Sequence, residues 1–419
     1  MATPVDPVAA PARPRSALTH PGFRIFFIGV ACAMTADFIE HVISYWVLYQ
    51  KFHSTGLAGF AVFAHWLPFL FLAIPSGALS DRFDTRRIIQ LGMLVFMSVS
   101  IAWAVLFYTG KLQMWHAVVL LIVHGLAGVL WNPATQVLLY DMVGPVQLPS
   151  AVRLTASARN LGMLVGPFLG SVLMLSLGPA TGILVNALIY LPMILFLWKA
   201  PYGPKFRTGA APVRPIRGVS DITATLNAVA ANPTLISMML LAGAASFFMG
   251  NAYQAQMPQL AQDLRHGDPS FAYGVLVGAD AFGALLAAVV LESKGLLALT
   301  PRTTMVLAMV WCIALAGFAL ANTYPLAIGL LLIAGFVELA FNSMAQTIVQ
   351  LNAPADMRGR VIGVFIMASL GMRTFSGLVV GFTGALIGIH YSLALSTMVL
   401  FAVIFALLVW YRKHARPAQ

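Results

Sequence analysis

Long apolar stretches follow one another along almost the whole chain, and short polar segments separate them. Each stretch is long enough for a helix to cross roughly 30 Å of hydrocarbon. A helix satisfies its own backbone polar groups, which lipid cannot do. The pattern therefore predicts an all-α membrane protein with twelve transmembrane helices. The expected spans are residues 23–49, 57–79, 88–109, 114–139, 154–177, 180–199, 233–257, 271–292, 303–321, 325–349, 360–387 and 390–411.

The apolar pattern is interrupted at length once, in a segment that contains several Lys, Arg and Pro residues. We predict a cytoplasmic linker at 200–232 between two six-helix bundles, at 23–199 and 233–411. Residues 1–22 and 412–419 are expected to be cytoplasmic tails, and the first of them is rich in Pro and Ala and predicted to be disordered. This 6+6 arrangement is typical of transporters whose substrate site lies between the bundles near the membrane midplane.

Composition supports a membrane protein, since 60% of the residues are hydrophobic and only 9% are charged. Soluble domains have about 25% charged residues. The net charge of +11 raises the question of nucleic-acid binding. With a cytoplasmic N-terminus, nineteen of the 24 Lys and Arg residues lie at cytoplasmic ends or loops, which follows the positive-inside rule. The charge therefore predicts an inner-membrane protein with both termini cytoplasmic that contacts anionic lipid and binds no nucleic acid.

Cysteine use and motif content exclude several other classes. Cys32 and Cys312 lie inside predicted spans, so we expect no disulfide framework and no metal cluster. The chain contains no phosphate-binding G-x-x-x-x-G-K-[ST] loop, which argues against a built-in ATPase. It has no H-E-x-x-H group or clustered nucleophile, so we do not expect an enzyme. We also expect no cofactor, and we expect the protein to be a monomer.

The loop after the second span reads "GALSDRFDTRR", from Gly77 to Arg87. This resembles the motif between helices 2 and 3 of the major facilitator superfamily, in a form similar to its siderophore and multidrug exporter branch. Asp84 departs from that motif, which has Gly at its place. The carboxylate of Asp81 can face a helix N-terminus in the other bundle, where the helix dipole favours negative charge. The residues expected to take part in a cytoplasmic gate are Gly77, Asp81, Arg82, Arg86 and Arg87. The alternative is that the basic residues only set topology.

Span 5 carries "NLGMLVGPFLGS", which resembles the helix-5 motif of antiporters in the superfamily. Gly162, Gly166 and Gly170 recur every four residues and leave one helix face bare, so another backbone can approach it. Pro167 removes a backbone hydrogen bond and permits a bend. We assign these four residues to gating, with an ordinary tight helix crossing as the alternative.

Two further segments, "NPATQ" at 132–136 and "QLNAPADMRGRVIG" at 350–363, extend the resemblance to the exporter branch over nearly the whole chain. The resemblance implies a fold in which helices 1, 4, 7 and 10 line a central cavity. One departure concerns helix 4. The family often has a proton-linked Arg there, whereas this chain has Leu121 followed by His124, so that role is not carried over.

The first span contains "MTADFIEHVISYW", in which Asp37, Glu40, His41 and Ser44 share one helix face. Polar stripes in membrane helices face a protein interior or a water-filled cavity. Burial raises carboxyl pKa values, so we expect one or more of these acids to hold a proton. The alternative is a static network in which an arginine permanently neutralises an acid. The residues assigned to proton coupling are Asp37, Glu40, His41, Asp280 and Glu338.

Two arginines, Arg159 and Arg373, lie inside predicted spans. A guanidinium presents paired donors to carboxylate, catecholate or hydroxamate oxygens, which suits a siderophore, whereas the acids suit a cationic drug. The residues assigned to substrate binding are Arg159, Arg373, His124, Asn251 and Trp46. We expect a proton-coupled antiporter that exports a siderophore or a related amphiphilic small molecule. The alternatives are a multidrug efflux pump, a proton-linked importer or a lipid flippase of the same fold.

Overall fold

The structure is a computed structural model, and it describes residues 16–52, 55–203, 206, 219–250, 252–264, 269–294 and 297–414. Within these residues the chain forms fourteen α-helices and no strand. Their bounds are α1 Pro21–Phe52, α2 Thr55–Arg82, α3 Thr85–Thr109, α4 Met114–Ile189, α5 Leu191–Lys199, α6 Val219–Ala231, α7 Pro233–Phe248, α8 Ala252–Asp263, α9 Pro269–Lys294, α10 Pro301–Ala319, α11 Tyr324–Asn352, α12 Arg358–Ile366, α13 Arg373–Ile387 and α14 Ile389–His414.

Six helical segments of the described chain are long and apolar enough to cross a bilayer, and counting one bent pair as a span gives up to seven. The bent pair joins 222–231 to 233–248 at an angle of 106°. One of the six is the segment Met114–Lys199, which contains three of the predicted spans. The chain is therefore an all-helical, multi-pass membrane protein. The number of twelve helices stays a prediction.

Two glycines break α4 into three helical stretches. Gly144 has φ 67° and ψ 179°, and Gly178 has φ 78° and ψ 161°, so both leave the helical conformation. Glycine adopts positive φ at low cost because it has no Cβ. Each glycine is followed by a proline, Pro145 or Pro179, which begins the next stretch. The breaks fall between predicted spans 4 and 5 and between predicted spans 5 and 6.

The buried side chains form separate cores in the two parts of the chain, which we call the N-terminal half (16–200) and the C-terminal half (219–414). One large cluster draws on residues from Val229 to Tyr411, with Ile74 as its one member from the N-terminal half. Two other clusters lie between Ala17 and Ala200. Each half therefore has apolar packing of its own.

α2 and α12 bring the two halves into close contact along a surface that we call the α2–α12 seam. A Cβ atom at Gly77 would overlap the carbonyl group of Gly359, and one at Gly363 would lie against the backbone of Ala73. Further along, Phe69 and Ala73 pack against residues of α12 such as Ile362. The seam therefore requires glycine where the backbones meet, and it holds the halves together at the end where α2 finishes.

Candidate functional site

The polar stripe of α1 faces the interior of the N-terminal half. Ile39 and Ile43 are fully buried on the other side of the helix, where they join an apolar core. Glu40 is only 2% exposed, and Asp37 is largely buried beside it. The hydroxyl of Ser44 donates to the backbone carbonyl of Glu40 at 2.6 Å. Apolar packing thus fixes the rotation of α1 and directs both carboxyl groups toward α4.

His124 of α4 bridges the two carboxyl groups of α1. Its Nδ1 lies 2.9 Å from Glu40 Oε1, and its Nε2 lies 2.8 Å from Asp37 Oδ1. A neutral imidazole carries only one N–H, so it can donate to only one of the two carboxylates. The other contact needs a second proton, either on the ring or on a carboxyl group. The Asp37–His124–Glu40 cluster therefore binds a proton that an isolated neutral histidine would not supply.

Two further polar side chains support this cluster. The Ser100 hydroxyl of α3 donates to Glu40 Oε2, and the amide of Asn186 lies 3.4 Å from Ser100 Oγ. The sequence analysis assigned His124 to substrate binding, whereas the structure places it between two acids. Neither supporting residue was singled out, because a lone Ser or Asn in an apolar span carries no distinguishing signal.

Three histidines come together beside the cluster, although they lie on α1, α2 and α4. The ligand atoms of His41, His65 and His124 all lie within 4.8 Å of one another. A tetrahedral zinc ion with Zn–N bonds of about 2.0–2.1 Å needs nitrogens about 3.4 Å apart. Both nitrogens of His124 already face carboxyl oxygens. The sequence analysis did not expect this grouping, and the engagement of both His124 nitrogens disfavours metal coordination there.

A small cavity opens at this site, with a volume of about 10 Å³. This is roughly the space that one water molecule requires. Its lining residues are Glu40, His41, Ser44, Tyr45, His65, Leu121 and His124. A water there can reach both an acid and the imidazoles.

The C-terminal half contains a second group of acids. The hydroxyl oxygen of Tyr253 on α8 lies 3.0 Å from Asp280 Oδ2 of α9 and 2.9 Å from Glu338 Oε2 of α11. Tyr253 is fully buried, and Asp280 is 5% exposed. The structure thus brings together two acids that the sequence analysis assigned to proton coupling, and it adds a tyrosine that the sequence analysis missed.

Two half-buried arginines, Arg159 and Arg373, lie within electrostatic range of the acids. Arg373 follows a π-helical turn at Met367–Gly371, and its guanidinium lies 5.3 Å from the ring centre of Trp66 in the other half. The charge of Glu338 acts on both Arg159 and Arg373, and that of Asp37 acts on Arg159. Positive charge is therefore available to an anion at the boundary between the halves.

Asp81 lies at the opposite end of the α2–α12 seam from Arg373. Its carboxylate accepts the backbone N–H of Gly359 at 2.5 Å and that of Arg360 at 3.0 Å. These groups belong to the first turn of α12, where the helix dipole favours a negative charge. Asp81 lies two residues beyond the predicted span 57–79, and burial raises its pKa to about 6, although the two N–H groups oppose that shift.

The basic residues of the same loop contact residues of the N-terminal half, and Arg86 also lies over the ring of Phe206 at 5.0 Å. Arg86 donates to Asp84 at 2.6 Å and to the carbonyl of Ala200 at 2.5 Å. Partial burial would raise the pKa of Asp84, but the hydrogen bonds from Arg86 hold that pKa below its ordinary value. Arg87 lies over the ring of Trp198 at 5.3 Å, and Arg82 lies over the ring of Phe83 at 5.4 Å. These contacts fix the loop from which Asp81 reaches the other half.

The glycine face of α4 packs against α1, the helix that carries the polar stripe. A Cβ atom at Gly162 would lie 2.8 Å from the Cβ of Met34, one at Gly166 would lie 2.5 Å from the Cβ of Phe38, and one at Gly170 would approach Ile39. Pro167 lies within the same helix. Close backbone packing therefore couples the position of α4 to the position of the acids.

The structure does not place two of the residues assigned to substrate binding at this site. Trp46 is 51% exposed on α1 and does not line the small cavity. Asn251 lies outside the described residues, so its assignment rests on sequence alone. Trp66, which the sequence analysis did not single out, is the tryptophan that contacts a half-buried arginine.

Fold and site together define a polytopic transporter of the major facilitator superfamily. Within that class, the chain belongs to the transmembrane secretion effector family, which it matches over residues 12–416. Its membership makes it a transport protein for small molecules and not an enzyme, as the sequence analysis predicts.

Known proteins resemble the chain over most of its length. The Staphyloferrin A transporter of Staphylococcus aureus (strain NCTC 8325 / PS 47) is 21% identical over 377 residues, which cover 87% of this chain and 90% of that protein. The human organic anion transporter MFSD10 matches with a TM-score of 0.70 and 16% identity, over 93% of this chain and 99% of that one. The Escherichia coli fucose:proton symporter has the same TM-score and the same coverage at 12% identity. At these identities the structures show a common fold.

Proposed function

We propose that this protein is a proton-coupled secondary exporter of an anionic, siderophore-like small molecule, working by alternating access. The observation that carries the proposal is the Asp37–His124–Glu40 cluster, because its geometry requires a bound proton beside a cavity. Arg159 lies within electrostatic range of this cluster through Asp37. Binding of an anion at the arginine changes the electrostatic environment of the carboxylates, which links substrate binding to their protonation state.

The proposed arrangement in the membrane has twelve helices in a 6+6 plan, with the linker 200–232 and both termini in the cytoplasm. It is supported by the separate apolar cores of the two halves. It is also supported by the positive-inside distribution of Lys and Arg, which places the α2–α12 seam on the cytoplasmic side. The membrane in this proposal is the inner membrane of the cell. Contact at the seam then corresponds to a transporter closed toward the cytoplasm.

The proposed substrate class rests on the two half-buried guanidinium groups. Arg373 combines paired donors with an aromatic neighbour, Trp66, and this combination suits a planar carboxylate or catecholate. The relative from Staphylococcus aureus is named as a transporter of staphyloferrin A, which supports a siderophore-type substrate. The family description, a secretion effector, supports movement out of the cell.

The proposal is tested with purified protein in liposomes that are preloaded with a radiolabelled carboxylate siderophore. An acidic outside buffer imposes an inward proton gradient. We expect the gradient to accelerate release of the siderophore and a protonophore to abolish the acceleration. Pyranine trapped inside the vesicles reports the accompanying proton entry.

Matched variants identify the machinery. Asp37→Asn and Arg373→Ala are expected to reduce gradient-driven release to the level of empty liposomes, whereas Arg302→Ala, at an exposed position, is expected to behave as the wild type. Gradient-driven accumulation inside the vesicles would identify an importer. Release of cationic drugs with no response to the siderophore would identify a multidrug pump.

A further inference from the structure

Tyr253 forms the centre of a chain of three oxygen groups in the C-terminal half. Its hydroxyl oxygen lies 3.0 Å from Asp280 Oδ2 and 2.9 Å from Glu338 Oε2. Both separations are those of an O–H···O hydrogen bond. The three residues come from α8, α9 and α11, so the tertiary fold brings the chain of oxygens together.

The number of protons in this chain follows from its geometry. A tyrosine hydroxyl carries one proton and can donate it to one carboxylate. The second contact would then place a lone pair of the tyrosine oxygen against an ionised carboxylate oxygen. That contact becomes a hydrogen bond only when the second carboxyl group is protonated and donates to the tyrosine oxygen. Like charges on two neighbouring carboxylates also favour one bound proton.

The charged and aromatic groups around the chain indicate where the proton lies. The guanidinium groups of Arg159 of α4 and Arg373 of α13 lie within electrostatic range of Glu338. Asp280 is 5% exposed, and Trp311 of α10 meets the Tyr253 ring edge-on with ring centres 6.4 Å apart. We assign the ionised form to Glu338, which lies near the two guanidinium groups, and the shared proton to Asp280.

We propose that Tyr253 is a positioning residue that holds Asp280 and Glu338 as a pair sharing one proton, so that the C-terminal half has a proton store of its own. Asp280 donates to the Tyr253 oxygen, and the Tyr253 hydroxyl donates to Glu338. When an anionic substrate engages Arg159 or Arg373, Glu338 becomes more basic. It then takes the proton of the Tyr253 hydroxyl, while Tyr253 takes the proton of Asp280, so one proton moves from Asp280 to Glu338 and no charge remains on the tyrosine.

This inference rests on the proposed function for its role in transport, but the shared proton itself is a property of the resting protein. The two failures are therefore separable. Infrared spectroscopy of the full-length protein in lipid nanodiscs detects a protonated carboxyl group through its C=O stretching band, which shifts in D₂O, and it needs no transported substrate.

The experiment compares difference spectra at neutral pH. We expect the wild type minus Asp280→Asn spectrum to show one carboxylic acid band, and Glu338→Gln to lose the same band, because a lone carboxylate accepts the Tyr253 proton and stays ionised. Tyr253→Phe is expected to shift the band and its titration midpoint, since the acid loses its hydrogen-bond acceptor. Tyr391→Phe, at a position that is 67% exposed, is expected to leave the band unchanged.

Two outcomes would overturn the inference. The first is that neither Asp280→Asn nor Glu338→Gln changes the carboxylic acid region, which would mean that both groups are ionised. The second is that Tyr253→Phe leaves the band and its titration midpoint at their wild-type values, which would make the tyrosine a packing residue. A variant that does not fold is recognised by its amide band. If Tyr253→Phe does not fold, Tyr253→Trp takes its place, because it replaces the hydroxyl with an N–H that only donates. Tyr253→Trp is expected to lose the acid band, and a wild-type band would overturn the inference.

Discussion

The carboxylate of Asp81 accepts the backbone N–H of Gly359 at 2.5 Å, although 278 residues separate the two in the chain. Asp81 also accepts the N–H of Arg360, so it occupies the position that a capping side chain takes at the start of a helix. The cap comes from one half of the molecule and the helix from the other. Separation of the halves at this end therefore uncovers both N–H groups.

Replacement of Asp81 by Ala is expected to open the α2–α12 seam. It removes three hydrogen bonds to a charged group, those from the backbone N–H groups of Gly359 and Arg360 and from Nε of Arg360. Each is worth about 1.5–3 kcal/mol, so the ratio of closed to open molecules should fall by about tenfold or more. Hydrogen exchange followed by mass spectrometry measures this directly, through faster exchange of the amides of Gly359 and Arg360. Asp84→Ala is the matched control, because Asp84 contacts Arg86 of its own half. Equal protection in both variants would contradict a gating role for Asp81.

The same carboxyl group predicts a pH dependence. In the closed state burial raises the pKa of Asp81 to about 6, whereas a solvated Asp has a pKa of about 3.9. Between these values the closed state holds a proton that the open state releases, so acidification favours closing. Spin labels at the exposed positions Phe83 and Leu351 should report a larger closed fraction at pH 5 than at pH 7.5. The dependence should vanish in Asp81→Asn, and an unchanged dependence would assign it to another group.

A methyl group at Gly77 is expected to force the seam apart. The Cβ atom would overlap the carbonyl group of Gly359, and both partners are backbone atoms that cannot rotate away. The same spin-label distances should lengthen in Gly77→Ala, and transport should fall. Gly329→Ala is the control, since no heavy atom lies within 4 Å of the Cβ position there. Wild-type distances in Gly77→Ala would show that the seam adapts.

Much of the helical architecture could be predicted from the sequence because a bilayer imposes a length and an apolar composition on each span. The breaks at Gly144 and Gly178 fall where the pattern places loops between spans. The structure gives six segments of that length and composition, or up to seven, because Met114–Lys199 is nearly continuous helix and the pair 222–231 and 233–248 is bent. The π-helical turn at Met367–Gly371 could not be predicted, because no residue type in it is diagnostic.

The site could be predicted only in part. The polar stripe of α1 is visible because helical periodicity places Asp37 and Glu40 on one face. The partners of these acids are not visible, since His124 lies 84 residues beyond Glu40 and a lone histidine in an apolar span is most often a packing residue. For the same reason, the sequence analysis did not single out Tyr253. Contacts between distant spans depend on how the helices are rotated, and periodicity within one helix does not report that rotation.

Replacement of His124 by Phe is expected to destabilise the protein and to abolish coupling. The ring volume is nearly kept, but the bridge between two buried acids is lost, and an uncompensated buried charge costs about 3–5 kcal/mol. The melting temperature should fall, and Glu40→Gln in the same protein should recover part of it by removing one charge. Gradient-driven transport should stay absent in both. Transport at the wild-type rate in His124→Phe would exclude a role for the histidine in proton coupling.

Replacement of Arg373 by Lys separates charge from geometry at the proposed substrate site. The guanidinium lies 5.3 Å from the ring centre of Trp66 and donates through Nε to the carbonyl of Ser369 at 3.2 Å. Lys keeps the charge, and with it the electrostatic balance with Glu338, but loses the planar fork that binds an oxyanion through two parallel hydrogen bonds. Loss of one charge-assisted hydrogen bond, about 1.5–3 kcal/mol, predicts a KM for an oxyanion substrate that is roughly tenfold or more higher, with kcat and membrane expression close to wild type. Arg302→Lys, at an exposed position, should leave KM unchanged. If Arg373→Lys left KM unchanged while Arg373→Ala failed to fold, the arginine would serve as a counter-charge for Glu338, and recognition of the anion would pass to Arg159.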